Sequence, residues 1–494
     1  MSAQKSVTLG ELMQKSGVQF GTSGARGLVT QLTDRVAYAY TGGFLQYLEK
    51  IGAIHEKIVA VAGDRRSSTP RIKNAALRAA VDRGYQPRDC GLLPSPALAL
   101  YGLEHKVPSV MVTGSHIPDD RNGIKFNTPE GEILKRDEAG IVEQRVEFPF
   151  EFTGADAVPD ALRLNLPVDG AAERAYVARY TEALPSDALS GLRVGVYGHS
   201  AVGRELLVRV LGTLGAEVTP LGYSDAFVAV DTEAIRPDDV KLAREWSQSH
   251  RFDSVVSTDG DSDRPLVSDE HGHFLRGDVA GILTAKYLGA RAVVTPVSSN
   301  SAAERSSLFQ RVLRTRIGSP YVIEAMQRAV SEGDAPVVGY EANGGFLIAS
   351  PIELEGRGKL APLATRDAVI VLIAILRQSK LQGRPISALV LDLPARFTAS
   401  NRIANFPTEV SKRKLEELSA SGEPAVSALF RGALGPVRSI DTIDGVRVEF
   451  ESTEIVHLRA SGNAPELRCY SEASSEDRAK ALTSLALEAV ARWR

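Results

Sequence analysis

Short runs of β-branched and small apolar residues alternate with helix-like patterns along most of this chain, and that alternation limits the fold more than any other feature. Ile58-Val59-Ala60-Val61-Ala62 predicts a buried strand, and Ile72 to Val81 then places apolar residues at helical spacing. Leu192 to Tyr197, a helix near Arg204 to Leu214 and Glu217-Val218-Thr219 make a second unit. A third holds a helix near Val279 to Leu288, the strand Ala292-Val293-Val294, a helix near Tyr321 to Ser331 and the strand Pro336 to Gly339. Repeated strand–helix–strand units predict α/β domains with parallel or mixed sheets. After about Arg384 the texture changes. Helices near Glu409 to Leu418 and Glu476 to Ala491 flank short alternating strands such as Val446 to Phe450, the pattern of a smaller α+β domain. At about 100–200 residues per domain, 494 residues suggest three or four domains. Linkers are expected near Asp156 to Pro167, Glu270 to Asp278 and Ser379 to Pro385. No close tandem repeat is visible, and the shared texture of the first three blocks is only suggestive.

Charge and cysteine content narrow the partners. The formal net charge of −3 leaves no global basic field, which points away from nucleic acid. The two cysteines, Cys90 and Cys469, lie far apart, so a disulfide framework is not expected and a reducing, cytoplasmic setting suits the chain. Met1 to Gln19 is polar without an apolar core of signal-peptide length, and no stretch approaches the ~20 apolar residues of a membrane span.

Four segments carry the chemistry. In Thr113-Gly114-Ser115-His116-Ile117-Pro118, a strand end meets a glycine expected to let the backbone turn, and the proline stops a helix. A hydroxyl is thus presented beside His116, with Arg121 and Lys125 just downstream. The competing reading is a turn serine that bonds only its own backbone. Asp259-Gly260-Asp261-Ser262-Asp263-Arg264 follows the strand Ser254-Val255-Val256. Carboxylates at alternate positions converge only around something cationic, and hard oxygen ligands suit Mg²⁺. An EF-hand loop is disfavoured because Arg264 stands where the sharp turn needs glycine; a solvated acidic turn is the other alternative.

Gly339-Tyr340-Glu341-Ala342-Asn343-Gly344-Gly345 also follows a strand, and Glu341 and Asn343 could hold sugar hydroxyls or form an ordinary polar turn. Arg459-Ala460-Ser461-Gly462-Asn463-Ala464-Pro465, with Arg468, has the makings of a phosphate cradle or of a charged surface loop. Phe20 to Gly27 is a glycine-rich loop carrying Arg26 but lacking the lysine and spacing of a P-loop. Gly198-His199-Ser200-Ala201-Val202 departs from a hydrolase nucleophile elbow at Val202 and reads as a strand-to-helix turn.

Taken in order, Phe20 to Gly27, Thr113 to Pro118 with Asn122 to Phe126, Asp259 to Arg264, Glu341 to Gly345 and Arg459 to Arg468 resemble the motifs of the α-D-phosphohexomutase family, in its phosphomannomutase and phosphoglucomutase branch. The resemblance runs from about Phe20 to Tyr470. It implies three similar mixed α/β domains and a smaller, mobile C-terminal α+β domain around a central cleft. The expected divisions are 1–160 with a phosphoserine loop, 161–272 with a metal loop, 273–384 with a sugar loop and 385–494 with a phosphate loop. The implied reaction moves phosphate between O1 and O6 of a hexose through a hexose 1,6-bisphosphate, which also serves as activator. By resemblance Ser115 carries the phosphoryl group and, through it, joins Asp259, Asp261 and Asp263 around Mg²⁺. Arg26 and Arg264 neutralise charge, Lys125 is the candidate acid/base, and His116 orients the loop or assists.

Glu341 and Asn343 would grip the sugar, and Arg459, Ser461, Gly462, Asn463 and Arg468 the distal phosphate. The implied partners are small hexose phosphates, with no nucleic acid or membrane, on a monomer or homodimer. Two departures stand out. The phosphate loop commonly reads Arg-Pro-Ser-Gly-Thr-Glu-Pro, whereas Ala460, Asn463 and Ala464 stand here; the sugar loop commonly has serine where Asn343 stands. Glu341-Ala342-Asn343-Gly344 is similar to phosphoacetylglucosamine mutases, whereas Gly114 and Ile117 look more like phosphomannomutases, which is the reading taken here. Phosphoglucomutase and phosphoglucosamine mutase remain alternatives. A non-catalytic sugar-phosphate binder and a magnesium phosphatase are the alternatives of another class.

Overall fold

A computed structural model describes residues 6–21, 24–355, 358–461 and 465–493. Its first three sheets repeat one plan. Ile58–Gly63 lies between Gln86–Leu92 and Ser109–Val112, both parallel to it, and Arg121–Thr128 adds antiparallel to the outer side. Arg193–His199 is flanked in the same way by Glu217–Tyr223 and Ser254–Thr258, with Pro265–Val267 antiparallel. Ala292–Pro296 is flanked by Arg311–Thr315 and Val337–Tyr340, with Phe346–Ile348 antiparallel. The internal repeat is therefore in topology, where the sequence showed only a shared texture. The first sheet is wider: Ala25–Leu28 pairs with Arg121–Thr128, and Gln19–Phe20 with Ala25–Leu28.

These strands form because each central one is apolar on both faces. Ile58–Gly63 is buried along almost its whole length and Ala292–Pro296 along all of it, as parallel strands covered by helices on both sides require. The covering helices include Thr69–Asp82, Arg204–Thr213 and Ser319–Ser331. One plan has one consequence for function. In each sheet the third strand ends in a loop that turns back into the antiparallel fourth strand. The serine loop, the acidic loop and the Glu341 loop occupy this same place in successive copies, at the carboxyl ends of the strands where α/β sheets bind ligands.

The C-terminal region is a five-stranded antiparallel sheet in the order Phe397–Ala404, Glu466–Ala473, Ile455–Ala460, Val446–Phe450, Val437–Asp441. Helices Thr408–Leu429, kinked at Gly422, and Glu476–Ala491 pack against it. Its core, from Phe406 to Val490, is its own. By contrast one continuous core joins the three α/β units, running from Ala60 through Val196 and Leu283 to Leu376.

Two expected linkers are built into that framework. Leu162, Leu164 and Leu166 lie against the first core. Ser379 belongs to the helix Ala368–Gln382, which ends only at Gly383, and Ile386 and Leu389 then rejoin the shared core. The buried apolar run of that helix, Ala368 to Leu376, carries one further turn through Ser379 to Gln382, whose last residues are exposed. No helix among the described residues is long and apolar enough to cross a membrane.

Candidate active site

The strand Ser109–Val112 delivers Ser115 into a buried turn. The left-handed residue there is Ser115 itself, at φ 56°, and Gly114 is not left-handed, contrary to the expected turn. Such a conformation costs an ordinary residue about 1–2 kcal/mol, so the surroundings must enforce it. They do so through Arg66, which the sequence reading missed. Its guanidinium donates to the carbonyls of Ser115 (2.9 Å), Ile117 (2.5 Å), Pro118 (2.8 Å) and Arg121 (3.0 Å). Asp64 pairs with Arg66 at 3.1 Å and accepts from Thr113 Oγ1 at 2.7 Å, and Thr113 Oγ1 in turn accepts from the Ser115 amide. Gly114 is glycine for room: a Cβ there would stand 2.6 Å from the Arg66 guanidinium carbon. Phe227, from the second sheet's surroundings, covers Arg66 with its ring at 3.9 Å.

Ser115 Oγ donates to Asp259 Oδ2 at 2.7 Å, so the first and second domains meet at the hydroxyl. Asp259, Asp261 and Asp263 are all buried and place one oxygen each within 4.8 Å of one another. Asp261 Oδ2 accepts from Ser95 Oγ and Lys125 Nζ, both at 2.5 Å; Asp263 Oδ2 accepts from Lys125 (2.7 Å) and Arg366 (2.9 Å). The other oxygens, Asp261 Oδ1 and Asp263 Oδ1, are buried and accept no hydrogen bond among the described residues. Burial, together with the charges of Asp261 and Asp263, pushes the Asp259 carboxyl well above the usual carboxylate range. Burial opposes ionisation of Asp261 and Asp263 too, but Lys125 pulls the first down, and Arg366 and Lys125 the second. Three converging carboxylates with two orphaned oxygens fit a hard divalent cation, whose charge would also permit Asp259 to ionise.

Lys125 projects from Arg121–Thr128. His116 Nδ1 accepts from Arg264 at 2.8 Å and lies 3.4 Å from Ser115 Oγ. Burial and the charges of Arg264 and Arg26 hold His116 far below its ordinary range, so it is neutral. Arg26, on Ala25–Leu28, is lowered to about 10 by burial and by Arg264, and stays charged at neutral pH.

Glu341 Oε2 accepts from Arg366 at 3.2 Å, and Asn343 Oδ1 accepts from the Gly345 amide at 2.9 Å, which orients the Asn343 side chain with its amino group available to donate. Arg366 is the second residue missed in the sequence. Nothing in Thr365-Arg366-Asp367 marks it except its place ahead of a long apolar helix.

A cavity of about 780 Å³ lies beside these parts, reaching His116 next to Ser115 and Arg264 next to the triad. Arg26, His116, Arg264, Glu341, Asn343 and Arg366 line one side, and Arg459, Ser461, Arg468, Arg402 and Glu466 the other. Lys125 lies in an adjoining recess with Ser95, Glu132 and Arg366. Across the cavity Arg459 pairs with Asp444 (2.9 Å), and Arg468 and Arg402 with Glu466 (both 3.1 Å). Gly462 and Asn463, also read as phosphate-binding, lie outside the described residues.

Three α/β domains and a fourth facing them across a cleft with an acidic triad define a class of enzymes. The chain matches the description "Phosphoglucomutase/phosphomannomutase" in all four parts: alpha/beta/alpha domain I over residues 17–149, domain II over 174–272, domain III over 276–397 and the C-terminal domain over 409–488. It belongs to this phosphohexomutase family of enzymes. It is 42% identical over 474 residues to a phosphomannomutase of Sinorhizobium fredii (strain NBRC 101917 / NGR234), covering 95% of this chain and 98% of the relative. It is 41% identical over 467 residues to a phosphomannomutase of Salmonella muenchen, covering 94% of each. The fold is also that of Aspergillus fumigatus N-acetylphosphoglucosamine mutase, solved with GlcNAc-6P and magnesium, at a TM-score of 0.55, 14% identity and 99% coverage of both chains.

Proposed function

We propose that the chain interconverts hexose 6-phosphate and hexose 1-phosphate, with mannose as the preferred hexose, through phosphorylated Ser115 and a hexose 1,6-bisphosphate. The observation that carries this reading is the 2.7 Å contact of Ser115 Oγ with Asp259, beside two orphaned oxygens of the triad. Asp259, Asp261 and Asp263 would hold Mg²⁺, which supplies positive charge to the phosphoryl oxygens.

In the forward half-reaction a sugar oxygen bonds to phosphorus as the bond from phosphorus to Ser115 Oγ breaks. Lys125, held as an ammonium by Asp261 and Asp263, gives a proton to the leaving serine oxygen and takes the sugar hydroxyl's proton in its place. The other half-reaction returns a phosphoryl group to Ser115 from the second ester of the turned bisphosphate. Arg26 and Arg264 stabilise charge on the moving group, since phosphoryl transfer depends mainly on positioning and electrostatics. His116, neutral and held by Arg264, keeps its place in the loop rather than exchanging the proton. Glu341 and the Asn343 amino group grip sugar hydroxyls. Arg459, Ser461 and Arg468, with the 462–463 loop, hold the distal phosphate whichever carbon bears it.

Two relatives above 40% identity are phosphomannomutases, which supports mannose. The Asn343 amide favours one second reading, an amino or acetamido sugar. A coupled assay comparing mannose 1-phosphate, glucose 1-phosphate and glucosamine 1-phosphate decides between them. Mannose 1-phosphate should give the highest kcat/KM. Free phosphate without isomer would indicate a phosphatase, and binding without turnover a sugar-phosphate binder.

A further inference from the structure

Arg366 is held with unusual firmness for a cavity-lining cation. The next residue, Asp367, caps the helix Ala368–Gln382 by accepting from the Val369 amide, and it also accepts from the hydroxyls of Tyr176 (2.6 Å) and Tyr180. The Arg366 backbone is thereby fixed. Its side chain is 3% exposed and packs on the sugar loop so closely that a Cβ on Gly345 would stand 2.5 Å from the arginine methylenes. From that position Nε donates to Asp263 Oδ2 at 2.9 Å and Nη1 to Glu341 Oε2 at 3.2 Å. One planar fork spans a carboxylate of the acidic triad and the carboxylate of the sugar loop, in two different domains. Lys125 and Arg264 supply further positive charge beside the triad.

We infer that Arg366 is a positioning residue and a brake on metal affinity: it bridges Glu341 to Asp263, setting the sugar-gripping carboxylate in register with the metal loop, and its charge competes with the cation there. The inference rests on the mutase reading for the role of Glu341. Two properties of the side chain do separate work. Its charge offsets that of Asp263, so losing it leaves a more negative triad that holds a cation more tightly. Its fork reaches two carboxylates at once, which the point charge of lysine cannot do.

The test is calorimetric titration of wild-type protein, Arg366→Met and Arg366→Lys with Mn²⁺ and, separately, with mannose 6-phosphate in the presence of Mn²⁺. Arg366→Met should bind Mn²⁺ several-fold more tightly and mannose 6-phosphate roughly tenfold more weakly. Arg366→Lys should return the Mn²⁺ affinity to wild type yet leave sugar-phosphate binding weak. Glu341→Gln, which leaves the Asp263 contact in place, should weaken sugar-phosphate binding with unchanged Mn²⁺ affinity, and it keeps the test open if Arg366→Met does not fold. Unchanged affinities in both Arg366 variants, loss of both affinities together, or full rescue by lysine would overturn the bridge. If wild-type protein binds no hexose phosphate, the mutase reading fails, and the Mn²⁺ arm still decides whether Arg366 restrains the metal loop.

Discussion

The two sides of the central cavity are built differently. On the α/β side, three loops from three domains touch one another directly. Ser115 bonds Asp259, Lys125 bonds Asp261 and Asp263, and Arg366 ties Asp263 to Glu341. Beneath them lies one shared apolar core. On the C-terminal side, Arg459 and Arg468 pair with carboxylates of their own domain, and that domain has a separate core. Polar contacts join it to the third domain: Asp444 accepts from the Ile317 amide at 3.0 Å, Arg316 donates to the Ile443 carbonyl at 2.9 Å, and Glu472 accepts from Ser301. Few charges at such a junction are hard to break, whereas a continuous apolar core opens only with the fold. The end proposed to react rests on a shared core; the end proposed to grip phosphate has its own core and is joined to the third domain by polar contacts.

On that contrast, changes on the α/β side should remove chemistry, and changes on the C-terminal side should remove grip. The largest effect is expected for Ser115→Ala, which should lower kcat by at least about a thousandfold, measured in the coupled hexose phosphate assay. Next is Asp261→Asn, which should cost about a hundredfold in kcat and weaken Mn²⁺ binding in calorimetry. Unchanged turnover in chelator would remove the metal from the account. Arg66→Met should leave the buried Asp64 carboxylate without its cationic partner and destabilise the fold by ~3–5 kcal/mol, read from chemical denaturation, with kcat falling more than KM changes.

On the other side, Arg459→Ala should weaken 1- and 6-phosphates alike, by about tenfold, without altering Mn²⁺ affinity; a loss confined to one isomer would break the two-orientation grip. The smallest effect belongs to the junction. Asp444→Ala should lower the first thermal transition by about 2–4 °C and speed amide exchange at 316–317, leaving exchange in Ile58–Gly63 unchanged.

The same contrast explains what could be read in advance. Ile58 to Ala62 and Ala292 to Val294 announced themselves because a strand buried on both faces must be apolar throughout. Thr113 to Pro118 and Asp259 to Arg264 were legible because their chemistry sits in contiguous residues. The repeated strand order was not, since pairing joins segments far apart and tolerates any apolar residue that fits. Arg66 and Arg366 were missed for a related reason. Each is one among 58 lysines and arginines, and its meaning lies in distant partners: carbonyls about 50 positions away for Arg66, carboxylates 25 and 103 away for Arg366. A glycine ahead of a serine points to the glycine as the left-handed residue, whereas the Arg66 cage forces that conformation on Ser115.

The central claim is that Ser115, set against the acidic triad, carries the phosphoryl group between the two ends of the sugar. Labelled hexose 1,6-bisphosphate, mixed with the purified protein and Mg²⁺, tests it most directly. Peptide mapping after rapid quench should find one labelled phosphate on Ser115, and a chase with unlabelled mannose 1-phosphate should move that label into sugar phosphate at the rate of turnover. Label that never reaches Ser115, or that stays there while isomer is formed, would contradict the account.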